Sequence, residues 1–112
     1  ATDTGFYYDI DMPAPIKEDA LPKIEQRMRE LANLKMPIVR REAKDRADAK
    51  CIILKECTLG QGEETALYKL ELLDAIPNGD AITFYDQRVV DKQGKERVFI
   101  DLCRGPHLES TA

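Results

Sequence analysis

Only one histidine, His107, occurs in this 112-residue chain. That leaves a zinc or catalytic centre short of the nitrogen ligands it usually gathers. Cysteine is scarce too: Cys51, Cys57 and Cys103 are odd in number and lack the spacing of a disulfide framework. They read as reduced thiols. No apolar run approaches the roughly 20 residues that cross a bilayer, and no secretory leader is present, so a cytoplasmic location without membrane contact is expected. The net charge of −4 argues against a free-standing nucleic-acid binder. It leaves room for a local basic patch, or for an RNA-binding module inside a larger protein. There is no internal repeat and no low-complexity tract. The length fits one domain. Ala1 stands where an initiating methionine would, which predicts a piece of something longer.

What is present is an ordered alternation of patterns. Gly5 to Asp11 contains Phe6, Tyr7, Tyr8 and Ile10 and predicts a strand. A rigid Met12-Pro13-Ala14-Pro15 connector follows. From about Lys17 to Leu34, the apolar residues Leu21, Ile24, Met28, Leu31 and Leu34 recur in helical steps. Glu18 and Asp19 suit its first turn, and Pro22 is tolerated because it lies near the start. Residues 37–42 predict a short strand. Residues 43–55 predict a helix with Ala47, Cys51, Ile52 and Leu54 on its apolar side. Residues 64–75 predict another, with Leu67, Leu70, Leu73 and Tyr68 inward. Pro77-Asn78-Gly79-Asp80 is a turn. Strands over 81–90 and 97–102 flank a hairpin tip at Asp91–Lys95, where Gly94 can take a positive φ. The expected fold is α+β, a two-layer sandwich with a mainly antiparallel sheet and helices packed on one face.

Chemistry concentrates in Asp101-Leu102-Cys103-Arg104-Gly105-Pro106-His107. Gly105 and Pro106 exclude a regular helix, so thiol and imidazole sit on a tight turn at the end of a strand. Asp101 and Cys103 alternate along that strand and share a face. Arg104 can bind a phosphate or carboxylate with two hydrogen bonds. Thiolate and imidazole suit zinc, with a third ligand needed from Cys51 or Cys57. Cys103 as nucleophile with His107 as base is a second reading. A buried cysteine and a turn histidine without chemistry is the bland one. Lys69 reads as a surface lysine on an amphipathic helix. Arg40, Arg41, Lys44 and Arg46 form a basic cluster that could touch an RNA backbone, but Glu42, Asp45 and Asp48 dilute it into a solvated charged face.

Gly5-Phe6-Tyr7-Tyr8-Asp9, the helix from Glu18 to Glu25, Tyr68-Lys69-Leu70-Glu71-Leu72 and the Asp101–His107 string occur in order. Together they resemble the second N-terminal domain of bacterial-type threonyl-tRNA synthetase, over essentially the whole chain. The Arg-Gly-Pro between Cys103 and His107 favours this type over the alanyl-tRNA editing proteins. The resemblance implies an editing module that hydrolyses serine misattached to tRNA(Thr). Serine differs from threonine by one methyl group, worth only about 1–3 kcal/mol of discrimination, so a second hydrolytic site is needed.

By the same resemblance, Cys103, His107, Asp101 and Lys69 are catalytic residues, and Arg104 and Tyr8 contact tRNA, with Asp9 on the same strand. Cys103 and His107 would be metal ligands only in the parent. No metal or cofactor is expected on this segment itself. The implied parent is a homodimer that joins threonine to tRNA(Thr) with ATP and magnesium and carries a zinc in its synthetic domain. Its partners are the 3′ end of tRNA(Thr) and the remaining synthetase domains. The family's site also uses a His-x-x-x-His pair ahead of the aromatic strand. With one histidine, this chain carries at most half of that constellation, so the segment by itself is expected to edit poorly or not at all. Two rivals remain: a non-catalytic spacer or acceptor-binding module, and a small zinc-binding interaction domain built on Cys103, His107 and another cysteine. The stretch from Gln87 to Arg97 is longer than the family's usual hairpin.

Overall fold

A computed structural model of the chain describes residues 2–7, 10, 12–57 and 66–112. Three helices and three strands run in the order α1 (Leu21–Ala32), β1 (Ile38–Glu42), α2 (Arg46–Ile52), α3 (Leu67–Ala75), β2 (Thr83–Val90) and β3 (Glu96–Leu102). A single 3-10 turn, Glu18–Ala20, precedes α1, and α2 continues into a wide turn over Ile53–Cys57. The strands form one antiparallel sheet in the order β1-β2-β3. The α+β class read from the sequence is therefore the class of the molecule.

The hairpin follows its turn chemistry. Asp91 and Lys95 close the tip through Asp91 N–H to the Lys95 carbonyl at 2.9 Å, with Gly94 at φ +79°. Asp91 also accepts from the N–H groups of Gln93 and Lys95 and from Arg97 Nε. These bonds hold its carboxyl below the usual carboxylate range, the Lys95 amide being the largest cause. The core forms where α2, the turn after it and α3 meet the sheet. Ala49, Ile52, Ile53, Ala66 and Leu73 pack with Ile82, Phe84 and Ile100. Phe84 and Ile53 are fully enclosed, each a side chain whose burial contributes about 1.5–3 kcal/mol. Arg46 crosses from α2 to donate to the carbonyls of Leu73 and Ile76, satisfying groups that the end of α3 leaves open.

Several expectations change. No strand forms over the described residues of the 5–11 segment; Thr2 and Gly5 make an isolated bridge, and Phe6 and Tyr7 are exposed. Without a neighbouring strand, aromatic content alone cannot make one. Tyr8 and Asp9 lie outside the described residues. α1 forms as its periodicity predicts but buries no residue, so among the described residues packing on the sheet falls to α2, the turn after it and α3. α2 is rotated from its expected phase: Ala49, Ile52 and Ile53 face the core, while Ala47 and Cys51 are exposed. In α3 only Leu73 is buried and Leu70 half-buried; Leu67 and Tyr68 point outward.

The chain after β3 positions the site. It leaves the β3 edge and crosses the end of central strand β2. It then pairs beyond β1, where Ile38 N–H donates to the Glu109 carbonyl at 2.9 Å and Thr111 N–H to the Met36 carbonyl at 3.0 Å. Thr111 Oγ1 also donates to the carbonyl of Ala32 at the end of α1. The crossing segment is the Cys103–His107 turn.

Candidate active site

The sheet register decides which side chains meet. Tyr85 lies directly opposite Asp101 across β2 and β3. Cys103 N–H donates to the Thr83 carbonyl at 3.0 Å. Side chains alternate along each strand, so Thr83, Tyr85, Asp101 and Cys103 share one face. Thr83 Oγ1 donates back to the carbonyl of Cys103, fixing the start of the turn.

The turn then brings His107 back over this face. Its imidazole stacks on the Tyr85 ring with centroids 3.9 Å apart and planes 10° from parallel. Its Nε2 lies 3.0 Å from Cys103 Sγ, and Gly105 N–H donates to the same sulfur at 3.4 Å. Gly105 is required here for two reasons. Its φ is +75°, and an added Cβ would be driven into the Tyr85 ring and hydroxyl. The Gly105–Pro106 bond is cis.

Asp101 is buried, and Lys69 reaches it from α3 to form an ion pair. The lysine read from the residues alone as a surface group thus carries a specific partner at the site. Cys57, at the end of the turn after α2, lies beside this pair. Burial pushes its thiol up to about 11; the Asp101 charge adds to that rise and Lys69 opposes it. It is a neutral thiol across the ordinary pH range.

Four of the six predicted site residues therefore fall into two pairs, Cys103 with His107 and Asp101 with Lys69, and Tyr85 stacks on His107 while standing opposite Asp101 in the register. Arg104 sits beside Cys103 with an exposed guanidinium and does not touch the cluster. Tyr8 lies outside the described residues. Tyr85 and Thr83 were not singled out by sequence, and Cys57 was named only as a candidate third zinc ligand. The usable signal for Tyr85 was hairpin register, which places it opposite Asp101 once the Asp91–Lys95 tip is fixed. Cys57 had no such signal.

Cys103 and His107 provide two donors for a metal. Among the described residues no group of three or more His, Cys, Asp or Glu side chains is placed to hold an ion. A zinc site needs at least three protein ligands. The donor set of the described residues therefore does not fit zinc by itself, and a zinc-domain reading finds no third ligand among them. What the cluster can do is hold water or a polar substrate between an imidazole, a thiol and a lysine–carboxylate pair. A groove of about 650 Å³ opens from Cys103 and Arg104, past Thr83 and Arg40, toward Leu72 and Pro77. His107, Asp101 and Lys69 are not in its lining, so the groove meets the cluster at Cys103.

Nearly the whole sequence aligns with threonine–tRNA ligases. It is 41% identical over 109 residues to threonine–tRNA ligase 1 of Bacillus subtilis, covering 97% of this chain and 14% of that protein. It is 39% identical over 108 residues to the threonine–tRNA ligase of Thermus thermophilus, covering 96% of the chain and 14% of the ligase. With the ligase of Geobacter sp. it shares 40% identity over all 112 residues, 15% of that protein. No family model and no solved structure matches the chain. The relatives define the class: a segment of an aminoacyl-tRNA synthetase. Within that class the chain belongs to the threonyl-tRNA synthetase family, and it spans about one-seventh of the length of the relatives it matches.

Proposed function

We propose that this chain is the editing module of a threonine–tRNA ligase, hydrolysing serine esterified to tRNA(Thr). The observation that supports it most is the convergence of Cys103 and His107 at 3.0 Å, on the Tyr85 ring and next to the Lys69–Asp101 pair. In this reading the 3′ end of tRNA(Thr) presents its seryl ester at the cluster. Water attacks the ester carbonyl carbon, the bond to the ribose oxygen breaks, and free serine and the ribose hydroxyl are released. His107 and Cys103 hold the water. The Lys69 ammonium offsets charge that develops on the carbonyl oxygen, where a placed cation acts most strongly in a water-poor site. Asp101 holds the lysine in position.

The wider reading is what the family resemblance implies, and the relatives' names support only its threonine–tRNA ligase part. The parent joins threonine to tRNA(Thr) in the cytoplasm as a homodimer, and ATP, magnesium and zinc serve its synthetic domain. No cofactor is assigned to the present segment. One histidine in the sequence favours a second reading, a spacer or acceptor-binding module whose hydrolysis has decayed.

A chimera separates the two. The 109 aligned residues of the Bacillus subtilis ligase are replaced by this chain, and deacylation of seryl-tRNA(Thr) is followed. Editing predicts hydrolysis of the seryl but not the threonyl ester, falling about 10²–10⁴-fold in His107→Ala. A spacer predicts background rates with and without His107.

A further inference from the structure

His107 has little of its own to hold it. It is exposed and sits on a turn, where an imidazole is free to visit several rotamers. Its Nε2 edge meets Cys103 Sγ, and its face meets the Tyr85 ring. The two contacts differ in kind. A thiol is a weak hydrogen-bonding group and cannot fix a ring plane by itself. Cys103 also opens the same turn, so it moves with what it would hold. Tyr85 belongs to the central strand, paired with Arg40 on one side and Asp101 on the other. It is 6% exposed. Its phenol end fills the space under Gly105 that a Cβ there would need. One rigid side chain thus supports the turn at Gly105 and the imidazole two residues later.

We infer that Tyr85 is the positioning residue for His107. Its ring fixes the plane of the imidazole, keeps Nε2 on Cys103 Sγ, and thereby sets the rate of hydrolysis without touching the substrate. The kinetic part rests on the editing reading; the placement of His107 does not. Two features give the role its character. Tyr85 is absent from the lining of the groove, so a ligand there does not contact it and binding should not depend on it. The stack uses the ring alone, so phenylalanine should serve as well as tyrosine. A group held on a strand is placed more precisely than one held by its own loop.

The test has two arms. In the chimeric ligase, Tyr85→Leu lowers kcat for seryl-tRNA(Thr) deacylation about three- to tenfold with KM unchanged, and Tyr85→Phe restores the rate. Phe99→Leu, which removes an exposed ring from the same face of the sheet, leaves both constants as they were. In NMR spectra of the 112-residue chain, nuclear Overhauser cross-peaks join the His107 ring protons to the Cys103 β protons. They persist in Tyr85→Phe and vanish in Tyr85→Leu. Should the leucine variant fail to fold, Tyr85→Met fills the site with a flexible side chain in its place. The inference is overturned if the cross-peaks survive loss of the ring, if kcat is unchanged or KM carries the loss, or if Tyr85→Phe falls as far as Tyr85→Leu. Background hydrolysis by the unmutated chimera sinks the editing reading instead, and the cross-peaks then decide the placement of His107 by themselves.

Discussion

The β2–β3 hairpin and helix α1 both carry a regular apolar pattern, and they meet opposite fates. The hairpin buries Phe84 and Ile100 against α2 and α3. α1 leaves Leu21 and Met28 more than half exposed and buries nothing, although its apolar residues fall in the steps of an amphipathic helix. The difference is supply of a partner. A strand pair brings its own neighbour through a five-residue tip, whereas a helical stripe needs a second surface from elsewhere. Periodicity reports that a face is apolar, not that something covers it. The site follows the same division. Each of its described members lies between residue 57 and residue 107, on the sheet, on α3 or on the turns that join them.

Breaking the better-built region should cost most. Phe84→Ala is expected to lose about 3–5 kcal/mol of folding free energy, whereas Met28→Ala on α1 should stay within about 0.5 kcal/mol. Urea unfolding of the two variants measures the contrast, and equal losses would erase it. Gly105→Ala comes next. A side chain at positive φ costs on the order of 1–3 kcal/mol, and here it also displaces Tyr85. The expected signature is loss of stability together with loss of the ring-current shift that Tyr85 imposes on the His107 protons in NMR spectra. An unchanged His107 resonance would contradict the stacked geometry.

Lys69→Met sharpens the comparison within the site. It removes one charged partner from a buried carboxylate, for an expected loss of about 1–2 kcal/mol, reduced from the fully buried case because Lys69 is partly exposed. Lys23→Met on α1 should change nothing measurable. The smallest effect separates two cysteines. Cys57, pushed up to about 11, should resist iodoacetamide at pH 8, while exposed Cys51 on α2 reacts. The same shift has a sign for stability. Between about pH 9, the ordinary thiol value, and about 11, the unfolded chain releases the Cys57 proton while the folded chain keeps it. Folding therefore weakens as pH rises through that window, and Cys57→Ser should remove this part of the alkaline loss.

Local rules made much of this legible. The hairpin followed from Asp91, Gly94 and the flanking β-branched residues, and the turn at residue 105 from Gly-Pro. Asp101, Cys103, His107 and Lys69 stood out by motif, though only the resemblance linked Lys69 to the rest. What stayed hidden depended on contacts distant in sequence. Tyr85 matters because the crossing segment lays His107 on it, a contact 22 residues apart that no period encodes. Cys57 comes beside Asp101 only because the turn after α2 winds wider than an α-helix. The phase of α2 was missed for a related reason: small alanines at 43, 47 and 49 give periodicity little to grip.

The central claim is that the Cys103–His107 cluster is a hydrolytic site. Its most direct measurement is the rate of seryl-tRNA(Thr) deacylation by the chimeric ligase carrying Cys103→Ala, beside the same chimera carrying Cys51→Ala. The account predicts a rate near background for the first and an unchanged rate for the second. Equal rates in the two would contradict it.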